Sequence, residues 1–238
     1  MNRNLVLVSG KSASGKSASL RNLKDQPGVV YLSCESGKEL PFPNKFKQIV
    51  ITDPRTVYDA FLQAEEKDDI HTIVVDTLTF LMDMVESQMV LTASDRRSAW
   101  ADYAQYFKQL MQLYVAQSTK NVIFLAHTAD IYNEAELITE TMVKVKGSLM
   151  NQGIESYFTQ VISTKKIATR KLEEYNNPLL VITPQEEALG FKYVFQTMLT
   201  KDTVNERIRA PLGMWDTPDT FIDNDLQKVL DHTRAYYQ

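Results

Sequence analysis

An apolar run, Leu5-Val6-Leu7-Val8, leads directly into Gly10-Lys11-Ser12-Ala13-Ser14-Gly15-Lys16-Ser17 and then into a helix-compatible segment. Nothing else in the chain limits its fold as strongly. The octet fills every fixed position of G-x-x-x-x-G-K-[ST], and a strand before it with a helix after it is the context in which that spacing has physical meaning. A glycine-rich turn aims successive backbone N–H groups at phosphate oxygens, and the dipole of a following helix adds to the attraction. Lys16 then reaches the β- and γ-phosphates of a nucleoside triphosphate, and Ser17 ligates Mg²⁺. Gly10, Lys11, Ser12, Ala13, Ser14, Gly15, Lys16 and Ser17 are therefore the expected nucleotide contacts.

A phosphate loop of this kind needs a parallel sheet around it, and the chain supplies strands and helices in alternation. Val29–Ser33 is a second β-branched run after the turn signal Gln26-Pro27-Gly28, and Ile49–Thr52 predicts a short edge strand. His71–Asp76 and Asn121–His127 are further buried strands, apolar on both faces as parallel strands usually are. Between them, Arg55–Glu66, Leu78–Leu91 and a helix starting at Ser94-Asp95 carry helical spacing. The last has an apolar stripe of Trp100, Tyr103, Phe107, Leu110, Met111 and Tyr114, read as core. This alternation predicts an α/β fold with a mainly parallel sheet and right-handed crossovers. After His127 the pattern changes: 128–150 reads as polar and irregular, a long loop of the kind that is usually functional or mobile. Gln160–Ile167 predicts another strand. Tyr193–Thr200 and Val204–Arg209 predict a hairpin turning at Lys201-Asp202-Thr203, and Asn224–Tyr237 closes the chain as a helix. With 238 residues and 44% hydrophobic content the expectation is one domain, 1–238, with a sizeable core.

In an open parallel sheet, ligands bind beyond the carboxyl ends of the strands, so four residues or loops should converge there: the phosphate loop, Glu35, Asp76 and His127. Asp76 after Ile73-Val74-Val75 has the pattern of a carboxylate that orients Mg²⁺ from the end of a buried strand. It would equally serve as a helix cap, a role open to Thr77 as well. No glutamate follows Asp76, so a carboxylate that activates water must come from elsewhere. Glu35 at the tip of the neighbouring strand suits that task, unless Cys34–Lys38 is only a surface turn. His127 suits hydrogen bonding to the γ-phosphate or to the attacking water, against a purely structural role. Arg207 and Arg209, two apart on a strand, share a face, which is either exposed sheet surface or an arginine finger that reaches a neighbouring subunit.

The formal net charge of −4 argues against a globally basic nucleic-acid coat. Residues 144–171, however, hold Lys144, Lys146, Lys165, Lys166, Arg170 and Lys171 against Glu155 alone, which makes either a basic patch or a solvated lysine-rich face. The single cysteine, Cys34, excludes an internal disulfide and a cysteine-rich zinc site, and it fits a reducing compartment. No stretch approaches the roughly 18 apolar residues of a membrane span, and no signal-peptide apolar region is evident, so the expected setting is the cytoplasm without membrane attachment.

The set Gly10–Ser17, Glu35, Ile73–Thr77, His127 and the late Arg207-Ile208-Arg209 resembles the RecA-type P-loop ATPase core. Within it the chain is similar to the small phage-encoded recombination ATPases of the Sak type, the phage AAA-domain nucleotide-binding proteins. The resemblance spans nearly the whole chain, although only the phosphate loop and the Asp76 motif are individually specific. It implies a RecA-like sheet with a strand inserted between the strands of those two motifs, flanked by helices and ending in a C-terminal hairpin and helix within 190–238. It implies ATP and Mg²⁺ as cofactors, Glu35 as the catalytic glutamate, His127 as the sensor, and Arg207 and Arg209 acting in trans. Segment 128–150, with Lys144 and Lys146, would be a DNA-binding loop. The implied partners are single-stranded DNA, further copies of the chain in a ring or filament, and a single-strand binding protein; a phage-encoded chain would act in the host cytoplasm.

RecA's N-terminal polymerisation segment and C-terminal domain have no counterpart here, which leaves ring and filament open. Lys11 resembles the signature lysine of MinD/ParA-type ATPases, but Ser12-Ala13 stand where those proteins carry a glycine pair. Three functional readings follow: a DNA-dependent ATPase in recombination, repair or annealing; a small-molecule or nucleotide kinase; and a nucleotide-gated binding module with little turnover.

Overall fold

A computed structural model describes residues 2–238, and Met1 lies outside it. The phosphate loop leaves the strand expected of it. β1 (Leu5–Gly10) is buried along its whole length and ends in the loop. β2 (Val29–Ser33) and β4 (Thr72–Asp76) are likewise buried throughout, as strands covered on both faces must be. β3 (Lys47–Val50) is the exposed edge, paired with β2 alone. β5 (Asn121–Asn133) runs parallel between β4 and β1, so the inserted strand implied by the RecA resemblance is present. β7 (Gln160–Ala168) joins the other side of β1, and β8 (Phe191–Gln196) and β9 (Phe221–Asp223) follow antiparallel. The path through the sheet is β3-β2-β4-β5-β1-β7-β8-β9.

Alternate side chains along the strands feed two apolar layers. Leu5, Leu7, Leu32, Ile73, Val75 and Phe124 pack against helices α1 (Thr56–Glu65), α2 (Leu78–Val85) and α3 (Arg96–Gln109). The stripe expected on the last of these does face the core, with Tyr103, Phe107, Leu110 and Met111 buried. On the opposite face Val6, Val8, Val74, Ile123 and Leu125 meet Leu20, Phe46, Trp215 and the terminal helix α7 (Leu226–Tyr237). Among the described residues no helix is long and apolar enough to cross a membrane.

Three expectations are corrected. The phosphate loop is followed not by a helix but by a single 3-10 turn, Ser17–Leu20. There the Ser19 hydroxyl donates to the Lys16 carbonyl at 2.6 Å, and Asn22 and Lys24 turn aside to Asp225 and Asp231 of the terminal helix region. Local side-chain bonds of this kind compete with helix propagation.

The second correction concerns 128–150, which is not irregular. β5 continues to Asn133 and pairs antiparallel with β6 (Ile138–Val143), and a short helix, α4 (Ser148–Gln152), follows. This ribbon leaves the main sheet and meets solvent on much of its surface. Its residues therefore lack the continuous apolar run that marked the other strands.

The third is the C-terminal hairpin. β8 pairs with β7 and β9 rather than with 204–209, whose ladder pairing among the described residues is limited to the isolated bridges Thr141–Glu206 and Val161–Arg209.

Candidate nucleotide-binding site

The site forms where β1, β2, β4 and β5 end or pass side by side. Parallel register sets Gly10 opposite His127 and Ser33 opposite Asp76, so loop, carboxylate and imidazole arrive together without any loop having to reach. A cleft of about 640 Å³ opens above them, lined by Ser12 to Ser17, Glu35 and His127.

Two glycines of the motif have steric reasons to be glycine. A Cβ on Gly10 would collide with Thr164 Oγ1, and Gly15 adopts φ +98°. The Ser14 hydroxyl is in turn in short hydrogen-bond contact with Thr164 on β7, which pins the loop to the sheet.

Lys16 is 6% exposed. Its ammonium curls back into the loop, donating to the carbonyls of Gly10 at 2.9 Å and Lys11 at 2.8 Å, with His127 Nδ1 3.3 Å away. Burial lowers its pKa from the ordinary 10.5 to about 8, against the opposing pull of the Asp76 and Glu35 carboxylates.

Asp76 is 2% exposed. Its Oδ2 accepts from Ser17 Oγ and from Tyr31 OH, both at 2.8 Å, whereas its Oδ1 is buried and without a partner. Burial raises the carboxyl's pKa and the two hydrogen bonds oppose the rise. A buried carboxylate oxygen with nothing to accept is costly, and a hard cation would satisfy it. With Ser17 Oγ beside it, the donor set fits Mg²⁺. The helix-cap role open to Asp76 falls instead to Thr77, whose hydroxyl accepts from the Phe80 N–H.

Glu35 lies within 3.6 Å of His127 Nε2 and 3.5 Å of Lys38 Nζ. His127 is held from three sides. Its backbone N–H donates to Thr79 Oγ1 at 2.9 Å, Phe80 packs edge-on against the ring, and the His127 carbonyl accepts from the Lys144 N–H at 2.8 Å. Burial, with the Lys16 ammonium next, keeps the His127 pKa below its ordinary value, so the ring is neutral near pH 7.

Other expected site residues sit elsewhere. The Lys11 side chain turns out of the cleft to pair with Asp130 at 2.6 Å on the ribbon, and only its carbonyl serves the loop. Arg207 is shared at 3.3 Å each by Glu140 and the buried Glu155 of its own chain, and Arg209 reaches the Ser156 carbonyl; neither lines the cleft. Lys146 pairs with Glu86 and Asp83, and Lys165 with Glu206, which neutralises part of the expected basic patch. Lys144 remains exposed beside His127. Tyr31, Lys38, Arg21, Tyr193 and Asn224 belong to the site although no motif announces them. For Tyr31 a signal existed: a residue two before the end of its strand, on the face that Asp76 shares across the ladder.

The AAA domain family profile matches residues 2–185. The chain belongs to the AAA domain family. This coarse assignment, a P-loop nucleotide-binding ATPase domain, agrees with the loop, Asp76 and the sheet order described above. No curated protein matches the sequence. Among solved structures the chain is similar to a KaiC-like protein from hyperthermophilic archaea, Pyrococcus horikoshii OT3. The two share 11% identity, over 92% of this chain and 88% of that one, with a TM-score of 0.46.

Proposed function

We propose that the chain binds ATP with Mg²⁺ and hydrolyses it. The observation that carries the reading is the convergence on one cleft of a buried lysine, a hydroxyl–carboxylate pair with an unpartnered buried oxygen, and a second carboxylate beside a neutral imidazole. Mg²⁺ held at Ser17 and Asp76 would neutralise charge on the β- and γ-phosphate oxygens. Lys16 trades its carbonyl contacts for the same oxygens. Glu35 accepts the proton of the attacking water, and His127, fixed by Thr79 and Phe80, orients that water or the γ-phosphate. Hydrolysis reaches the rest of the molecule through His127, because β5 continues from it into the ribbon 128–143.

Glu35→Gln tests the reading. General-base loss costs about 10²–10⁴ in rate, so ATP binding should persist while turnover falls by that order. Turnover within threefold of wild type would overturn the role of Glu35, and negligible turnover in the wild type with ATP still bound would favour a gated module with little chemistry.

The proposal extends to single-stranded DNA through Lys144, the exposed cation where the ribbon joins the sheet, although Asp130, Glu134, Glu136 and Glu140 make the rest of the ribbon acidic. Turnover with and without single-stranded DNA tests that arm. Stimulation that fades with added salt is expected, and equal rates would remove the DNA arm and leave the ATPase. Self-association in a ring or filament is tested by mass with a nonhydrolysable ATP analogue. A monomer in both states would remove any action in trans.

A further inference from the structure

The end of the cleft away from Glu35 and His127 is built differently from the phosphate end. Asn224, just before the cap residue Asp225 of α7, is 4% exposed, lines the cleft, and has a buried Nδ2 with no hydrogen-bond partner. It stands against the phosphate loop itself: a Cβ placed on Gly15 would lie 3.3 Å from Asn224 Nδ2 and 3.4 Å from Tyr193 Cδ1. Tyr193, on β8, exposes 38% of its surface and lines the same end.

The cations here are already committed. Lys192 is paired with Glu186 at 2.6 Å and Asp223 at 3.1 Å, and Lys228 with Asp223 at 2.6 Å. Arg21 donates to the backbone carbonyls of Ala18 and Asn224, and the Lys166 ammonium lies 5.5 Å from the centroid of the Tyr193 ring. An end whose Lys192 and Lys228 are neutralised by carboxylates, with an aromatic ring and an unsatisfied amide, suits an uncharged heterocycle better than a phosphate.

We propose that Tyr193 and Asn224 form the base-reading end of the nucleotide cleft, with Tyr193 as the stacking face and the Asn224 carboxamide pairing with the edge of adenine. The inference rests on the ATP-binding reading above. A carboxamide offers one donor beside one acceptor. Adenine matches it with N7 as acceptor and the N6 amine as donor, whereas guanine presents two acceptors, N7 and O6. The backbone carbonyl of Asn224, not its side chain, holds Arg21, so truncating the side chain leaves that anchor in place.

The test compares ATP, inosine 5′-triphosphate and inorganic tripolyphosphate binding by titration calorimetry on the full chain. For Asn224→Ala and Tyr193→Ala, ATP affinity should fall about tenfold or more while tripolyphosphate affinity stays within twofold of wild type. Tyr193→Phe should keep ATP affinity. Wild type should prefer ATP to the inosine nucleotide by about tenfold, and Asn224→Ala should erase that preference. A melting temperature measured for each variant confirms folding, and Asn224→Asp, which keeps the volume and loses the donor, should mimic Asn224→Ala. Equal losses for ATP and tripolyphosphate, or unchanged ATP affinity in the Asn224 variants, would overturn this inference alone. Wild-type protein that takes up tripolyphosphate but not ATP, or neither, would overturn the ATP-binding reading with it.

Discussion

Lys16 makes the binding of nucleotide a proton-linked event, with a sign and size that follow from its burial. Lowering its pKa from 10.5 to about 8 means that the protonated form costs about 3 kcal/mol in the empty site, at 1.36 kcal/mol per pH unit. The unfolded chain holds the proton up to 10.5 and the folded chain releases it near 8, so between those values the unfolded state binds more protons. Lys16's contribution to stability therefore rises with pH across that window. Nucleotide binding has the opposite slope. A triphosphate beside the ammonium restores its proton, so affinity is flat below pH 8 and falls as pH rises above it. Taking the bound ammonium as fully protonated, the dissociation constant at pH 9 should be about tenfold weaker than at pH 7, with close to one proton taken up per ATP. Calorimetry at pH 9 in two buffers of different ionisation enthalpy measures the uptake directly, since the phosphates of ATP are already fully ionised there. Lys16→Arg, which cannot titrate in this range, should bind with no uptake and no slope. Uptake below about 0.2 proton at pH 9 in the wild type, or an equal slope in the arginine variant, would refute the argument from burial.

Two further outcomes separate structural from catalytic roles. Arg207→Ala should destabilise the fold by about 2–4 kcal/mol, read as a lower denaturant midpoint, because it strands the buried Glu155 carboxylate; a finger acting only in trans would instead cut turnover and leave the midpoint unchanged. Tyr31→Phe removes one of the two donors to Asp76 Oδ2 and should cost about 1.5–3 kcal/mol in the nucleotide-free protein. Added Mg²⁺-ATP should recover part of that loss, and an unchanged midpoint without nucleotide would show that the bond carries no weight.

What the sequence revealed and what it hid divide along one physical line. Strands buried on both faces announce themselves through unbroken apolar runs, so β1, β2, β4 and β5 as far as His127 were legible. With them came the side-by-side placement of the loop, Glu35, Asp76 and His127, because in a parallel sheet that placement follows from strand ends alone. The ribbon beyond His127 was not legible. Thr128–Asn133 and Ile138–Val143 do hold β-formers, but of these residues only Met142 and Val143 are buried, so the two strands carry no continuous apolar face and their signal sank among acidic residues. The turn after Ser17 was hidden for a different reason: its residues form helices readily enough, and the Ser19 back-bond and the pull of α7 decide against one.

Arg207 and Arg209 show where spacing stops being informative. Arg207 and Arg209 flank the buried Ile208 and reach the adjacent residues Glu155 and Ser156. Alternation says nothing, however, about which charges wait there. Glu140 comes from the ribbon and Glu155 from the turn after α4, segments about fifty to seventy residues away in sequence. The guanidinium is the point where ribbon, turn and segment 204–209 meet. A subunit that wanted Arg207 for a neighbour's γ-phosphate would first have to leave Glu155 buried and uncompensated, so the position suits clamping the ribbon to the domain. If the ribbon moves with the state of His127, Arg207 is the side chain that resists it. Arg207→Lys, a point charge in place of a fork, should then loosen the ribbon, read as faster amide exchange across 138–143, without altering ATP affinity; unchanged exchange there would show that the ribbon is held by its own ladder.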